Sequence, residues 1–362
     1  MSLIDAGYQA NVPVGLERRA SSRFSIAQAR AIVSDLFDPN PWIYWTDFLA
    51  SFAVGCLCFQ LVRQFPLFSL AQLVCFTATV ILYYRCGSFI HELMHIKRDQ
   101  FVGFRVAWNL LCGIPFLIPS FVYWTHIKHH QGTTYGTHDD GEYLPFAKRG
   151  PWMIVWFLTE PLYVPLLAVF RFLVLTPLTW FSPAVRRWVL RHASSMIIDP
   201  SFVRPELPSR DIRIMRLQEV LTFLWCAGVL AMVLTNGRWP FPFLIQAYAT
   251  GVCIVLMNNV RTLVAHRWTN GDDEPMTFSD QVLDSLNFPH HPLMTELWAP
   301  VGMRFHALHH LFPSLPYHNM PEAHRRLTRE LPPESPYHEL ERRSFTDAFL
   351  ELWRMSQSHR AA

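Results

Sequence analysis

Residues 67–95 read LFSLAQLVCFTATVILYYRCGSFIHELMH, and the distance over which this run stays helical decides the fold. Residues 67–84 hold no charged side chain. Such a run approaches the roughly twenty residues that cross about 30 Å of hydrocarbon at about 1.5 Å per residue. No break signal separates it from His91 and His95. Positions i and i+4 share a helix face, so HELMH sets two imidazoles side by side about 10 Å past the end of an apolar rod.

Outward from that rod, a first apolar run covers 42–62 and ends at Arg63, with a tight turn through Pro66. A second pair, 219–235 and 239–257, is joined through Asn236 and Gly237. Joints this short require transmembrane hairpins. The expected fold is an all-α integral membrane protein with four transmembrane helices near 42–62, 67–90, 219–235 and 239–260. The histidine-rich sites would lie in a cytoplasmic helical cap. Residues 1–41 read as a cytoplasmic lead-in with a short amphipathic helix around 25–37, 42–330 as the membrane domain, and 331–362 as a cytoplasmic tail. The apolar stretches 101–124 and 151–181 are expected to be interfacial or re-entrant. Thirty residues of helix reach about 45 Å, too little for two more passes at about 30 Å each.

Composition agrees with a membrane class. Of the 362 residues, 51% are hydrophobic and 16% charged, against about 25% charged in a soluble domain. A net charge of +3 is too small to indicate nucleic acid. The seven cysteines all sit in apolar runs without a C-x-x-C pair, which reads as buried small side chains. The polar first forty residues show no apolar leader core, so no cleaved signal peptide is expected. Lysine occurs at Lys97, Lys128 and Lys148 alone while arginine abounds, which suggests a GC-rich bacterial genome and an inner-membrane location.

Arginine also orients the chain. The connecting turns carry Arg63 and Arg238; the opposite side carries Arg18, Arg19, Arg23, Arg30, Lys97, Arg98, Arg186, Arg187, Arg191, Arg204, Arg210, Arg213 and Arg267. The positive-inside rule places both termini and the histidine clusters in the cytoplasm. Trp42, Trp45, Trp239 and Trp268 are read as an interfacial aromatic belt.

Besides His91 and His95, histidines cluster as His126, His129 and His130 in HIKHH and as His306, His309 and His310 in HALHH. Spacings of three and four put each cluster on one helical face, so three imidazole-rich faces can surround metal ions without cysteine. The set H-x-x-x-H, H-x-x-H-H, H-x-x-H-H on a four-span chain resembles the integral-membrane fatty acid desaturase and hydroxylase superfamily, and HALHHLFPSLPYHN is similar to the third box of its acyl desaturase branch. The resemblance extends over about 40–330. It implies a non-haem centre of two iron ions, O2 as co-substrate, and a lipid or acyl substrate. It also implies a separate electron donor, a ferredoxin or a cytochrome b5 with its reductase. The implied ligands are the eight box histidines and, on the last membrane helix, His266. The implied activity is introduction of a double bond into a fatty acyl chain; hydroxylation or ketolation of a lipid, alkane or carotenoid remains the alternative.

Around these, Glu92, Asp139, Asp140 and Glu142 are placed to accept a hydrogen bond from a ligating imidazole. Asn259 reads either as holding a metal-bound water or as a packing group, and Asp47 with Arg85 as an ion pair or as snorkelling side chains. His138, His192, His290, His291, His318 and His324 are read as lying outside the cage. Arg186, Arg187 and Arg191 read either as a docking face for an acidic donor or as contacts to lipid headgroups. Two rivals come from other classes. HELMH also fits H-E-x-x-H of a zinc metallopeptidase with Glu92 as base, which leaves six histidines idle. A metal transporter would favour ionisable groups at the membrane midplane, whereas the span centres here are plain.

Overall fold

A computed structural model describes residues 25–235 and 241–358. It is all-helical: among the described residues no strand forms, and β-pairing is confined to isolated bridges such as His266 with Ser285. Helix α1 (Ile26–Ile32) precedes α2 (Pro41–Leu61), whose first turn is set by Pro41 and by the Asn40 side chain accepting from Trp42 N. Helix α3 (Leu70–His95) starts at the Ser69 cap and runs unbroken through HELMH. Its first half shows Leu70, Leu73 and Val74 to the outside, while most of Tyr83–Met94 is buried. One rod thus serves two environments. The ion pair of Arg85 with Asp47 (2.7 and 2.5 Å), joined by Glu296 at 3.1 Å, ties α3 to α2 at that boundary.

After α3 the chain folds back on it as α4 (Val102–Trp108) and a π turn at Asn109–Gly113, where Trp108 Nε1 donates to Cys86 O at 2.8 Å. Helices α5 (His126–His129) and α6 (Pro151–Phe157) lead to α7 (Val164–Phe181) and α8 (Pro183–His192). Helix α9 (Ser209–Thr235) begins ten residues before the predicted start at 219, because helical hydrogen bonding continues past the hydrocarbon edge into the turns that carry Arg210, Arg213 and Arg216. Arg98 meets Asp211 at 2.6 Å, which seats the start of α9 beside the end of α3. Helix α10 (Phe241–Ala265) returns to His266.

Five helices (α2, α3, α7, α9 and α10) are long and apolar enough to cross a membrane, so the chain is a multi-pass membrane protein with one more candidate span than the four expected. Helix α7 differs from the others: Pro165, Pro177 and a π turn at Arg171–Leu175 interrupt it. The buried Arg171 pairs with Glu219 of α9, which also takes Arg186 at 2.5 Å.

Five short helices complete the body: α11 (Phe278–Asp284), α12 (Pro292–Trp298), α13 (His306–Leu311), α14 (Met320–Glu330) and α15 (Phe345–Ser358). One core joins Ala29 of α1 and its C-cap residue Val33 to Leu308, Leu311, Leu327 and Leu340. Another joins Tyr135, Tyr143 and Trp268 to Leu352 of α15. The lead-in helix and residues 331–358 therefore pack into the same body, and 330 marks no break: Asn287 N donates to Leu340 O and Arg342 N to Asn287 O, both at 2.8 Å.

The aromatic belt is partly corrected. Trp42 is 77% exposed, but Trp268 is fully buried, with its indole N–H on Leu263 O at 2.9 Å. The chain reverses after α10 and Trp268 takes φ 59, a conformation bulky residues avoid, which turns the ring inward. Trp239, with Asn236, Gly237 and Arg238 of the predicted turn, and Arg18, Arg19 and Arg23 lie outside the described residues. All seven cysteines are free thiols.

Candidate metal centre

Nine histidines converge where α3 and α10 end. Helix α3 supplies His91 and His95, and His266 follows the last residue of α10; the single turn α5 supplies His126 and His129, with His130 as its cap residue; α13 supplies His306, His309 and His310. They form two groups able to hold a metal ion: His91, His95, His126, His130 and His309 in one, His129, His266, His306 and His310 in the other. Within each group the ligand atoms lie within 4.8 Å of one another. That suits donors around one ion at about 2.0–2.1 Å, which places opposite donors about 4 Å apart.

The donor chemistry fits metal better than a hydrogen-bonded network. Nε2 atoms face each other at 3.2 Å (His129, His266), 2.8 Å (His306, His266), 3.2 Å (His310, His306), 3.0 Å (His130, His126) and 3.1 Å (His309, His130). A neutral imidazole has one donor nitrogen and one acceptor. His126 and His129 spend the donor on their outer side: Nδ1–H of His126 donates to Glu142 at 2.9 Å, and Nδ1–H of His129 to Asp140 at 2.8 Å. His266 Nδ1–H donates to the Tyr135 oxygen at 2.9 Å, and Tyr135 in turn donates to Asp284 at 2.9 Å. Each of these three rings then aims an Nε2 lone pair inward, the arrangement that orients a metal-ligating histidine. Both ring nitrogens of His91 and the Nε2 of His95 are buried without a partner.

Burial drives the pKa values of His126, His130, His266, His306, His309 and His310 well below the ordinary imidazole range, with neighbouring imidazoles adding to the effect. These rings stay neutral, as ligands must be. His129 goes the other way: burial works against its charged form, but the carboxylate of Asp140 more than offsets this and raises the value. Burial also pushes the Glu142 carboxyl up to about 8.

Among the outer carboxylates, Asp140 and Glu142 hold ligand-candidate rings as expected, while Glu92 and Asp139 do not. Glu92 turns its carboxylate away from the cage, accepting from the Tyr44 hydroxyl at 2.5 Å and Tyr317 N at 3.3 Å. It sits beside His91 in sequence, but the helix rotates adjacent residues to different faces. That geometry also removes the general base that a metallopeptidase reading of HELMH requires. Asp139 is half exposed and lies near Lys128 at 3.9 Å.

Asn259 donates to Phe157 O at 2.9 Å, a packing role. His138 pairs with Asp273, His318 with Asn40 N and Asn319, His324 with Tyr337 and Glu341, all outside the two groups. His192, His290 and His291 are exposed. Asp284, Tyr135 and Ser285 around His266 carried no readable sequence signal, because they come from three separate segments and no spacing rule links them.

The fatty acid desaturase family profile matches residues 67–341, three quarters of the chain, and covers all nine histidines. The chain belongs to the fatty acid desaturase family. Along nearly its full length it is also similar to a ceramide hydroxylase of Caulobacter vibrioides, at 39% identity over 343 residues, 94% of this chain and 96% of that protein. No solved structure matches the chain. Membership makes the protein a membrane oxidoreductase of lipid metabolism, and this relative is a hydroxylase, not the desaturase that the third box suggested.

Proposed function

We propose that this protein is an O2-dependent lipid hydroxylase that acts on a ceramide-class N-acyl lipid. The 39% identity to a ceramide hydroxylase over 94% of the chain carries this reading. His91, His95, His126, His130 and His309 hold one iron ion, and His129, His266, His306 and His310 hold the other. Bound there, the two ions supply the activation of O2 needed to oxidise an unactivated C–H bond. The reaction balances as follows: one oxygen atom enters the C–H bond as a hydroxyl, and the other leaves as water after uptake of two electrons and two protons.

The chain's own residues set the conditions. Asp140, Glu142 and Tyr135 keep the Nδ1 protons of His129, His126 and His266 outward, which fixes ring orientation and the inward lone pairs. Burial of seven of the nine rings, with His95 and His130 half-buried, limits stray water. Electrons come from a separate donor, a ferredoxin or a cytochrome b5 with its reductase. The exposed Arg187 and Arg191 are the candidates for its dock; Arg186 is drawn inside by Glu219.

Four spans with a cytoplasmic cap remain the proposed topology, and parity supports them. The path from His130 to Ser209 starts at the cage and ends beside it, because Asp211 pairs with Arg98 just past α3. An even number of crossings must lie between, so α7 alone is read as re-entrant.

Lipids extracted from a host expressing the chain under isotope-labelled O2 test the function. A ceramide that gains one labelled oxygen supports hydroxylation. Loss of two hydrogens without label restores desaturation, and unchanged lipids sink both readings.

A further inference from the structure

The floor of the cage holds two polar side chains that nothing above has used. Arg261 lies on α10 five residues before His266, about 8 Å back along the helix toward the apolar side. Tyr84 lies on α3 seven residues before His91, on the same face and about 10 Å back. The two meet: the guanidinium sits beside the Tyr84 phenol and acts electrostatically on His91, His266 and His306, members of both histidine groups.

Both are deeply buried, Arg261 at 8% exposure and Tyr84 at 3%. Arg261 makes one hydrogen bond, from Nη2 to Asn258 Oδ1 at 3.1 Å, and its Nε, like the Tyr84 hydroxyl, has no partner of good geometry. Among the described residues no carboxylate forms an ion pair with it; the nearest influence of that kind is the field of Glu142. Arg171 and Arg204, equally buried, are treated differently: Arg171 reaches Glu219, Thr176, Ser194 and the Ala193 carbonyl, and Arg204 the carbonyls of Ser194 and Phe121. A guanidinium has five N–H donors and no acceptor, and leaving them unmade in a buried site is expensive. The floor therefore holds a buried guanidinium N–H and a buried phenol hydroxyl, neither of which has a partner of good geometry.

We propose that Arg261 and Tyr84 form the anchor for the amide carbonyl of the lipid, and so select N-acyl substrates and fix which carbon faces the metals. This rests on the hydroxylase reading for its substrate class. A neutral carbonyl oxygen accepts from both side chains without bringing a second full charge beside Glu142. Because Arg261 lies about 8 Å along α10 from His266 and Tyr84 about 10 Å along α3 from His91, the oxidised carbon lies in the part of the lipid near the amide, not far down the acyl chain.

The test uses the full-length, iron-loaded protein in lipid nanodiscs, with N-palmitoyl sphinganine and an ether analogue that lacks the carbonyl as probes. Arg261→Met should weaken equilibrium binding of the amide about 10- to 100-fold. Binding of the ether analogue, iron content and melting temperature should stay at wild-type values, and Arg261→Lys should recover part of the loss. Tyr84→Phe, which removes a single oxygen, should weaken amide binding about fivefold and keeps the question open to test if Arg261→Met does not fold. Equal weakening for both probes, unchanged amide binding, or a wild type that does not prefer the amide overturns the anchor.

Labelled-O2 turnover separates the two readings. A wild type that prefers the amide yet oxidises no lipid removes the hydroxylase and keeps the anchor. One that oxidises the amide while Arg261→Met binds it equally well does the reverse.

Discussion

The two histidine groups differ in how they are held. The five-histidine group has more donors but less support: Glu142 orients His126, while the Nδ1 atoms of His91, His130 and His309 are buried without partners. The four-histidine group has fewer donors and stronger guidance on two of them, with Asp140 on His129 and Tyr135, Ser285 and Asp284 around His266, while the Nδ1 atoms of His306 and His310 are also buried without partners. The first group relies on ligand number and on the rigidity of α3. The second relies on outer hydrogen bonds to two of its rings, His129 and His266, in a group drawn from three segments. Fewer ligands also leave more coordination positions for O2, and firm outer bonds raise ligand basicity.

The largest expected effect separates the groups by donor count. His306→Ala leaves three donors in the smaller group and should abolish turnover with loss of about half the iron, read by elemental analysis of protein that still inserts in the membrane. His130→Ala and His309→Ala should abolish turnover too but retain more iron, since four donors remain; equal iron loss in all three would break the comparison.

Next come the outer carboxylates. Asp140→Asn should cost about 10- to 100-fold in metal affinity or activity. Glu142→Gln should cost less, because its ring shares an ion with four others, and a larger loss at Glu142 would invert the ranking.

Acid should act on the metal-stripped protein in a defined direction. The ring values lowered by burial mean that the unfolded chain takes up protons below about pH 6.5 while the folded cage does not. Stability is then full above that pH and falls as pH drops through it. Thermal melts of stripped protein in detergent should show this slope, and iron-loaded protein should hold a higher melting temperature throughout. The smallest effect belongs to His138, exposed and paired with Asp273: His138→Ala should change neither melting temperature nor iron content.

Legibility in the sequence followed the range of the signal. His91, His95, His126, His129, His130, His306, His309 and His310 were readable because helical spacing is local, and α3 was readable because its apolar run meets HELMH without a break. His266 needed the family resemblance. Glu92 misled because one residue of offset turns a side chain by about 100° on a helix, and it binds Tyr44 and Tyr317 instead. Trp268 misled because a reversal at positive φ buries what hydropathy placed at the interface.

The sequence by itself determined an all-helical membrane chain with three histidine faces, since both follow from side-chain period and from the length of apolar runs. Tertiary structure alone decided how nine rings divide five to four, which carboxylates hold them, and that Arg261 faces Tyr84 beneath them. Those contacts join residues from 11 to 179 positions apart, and packing, not spacing along the chain, sets their geometry.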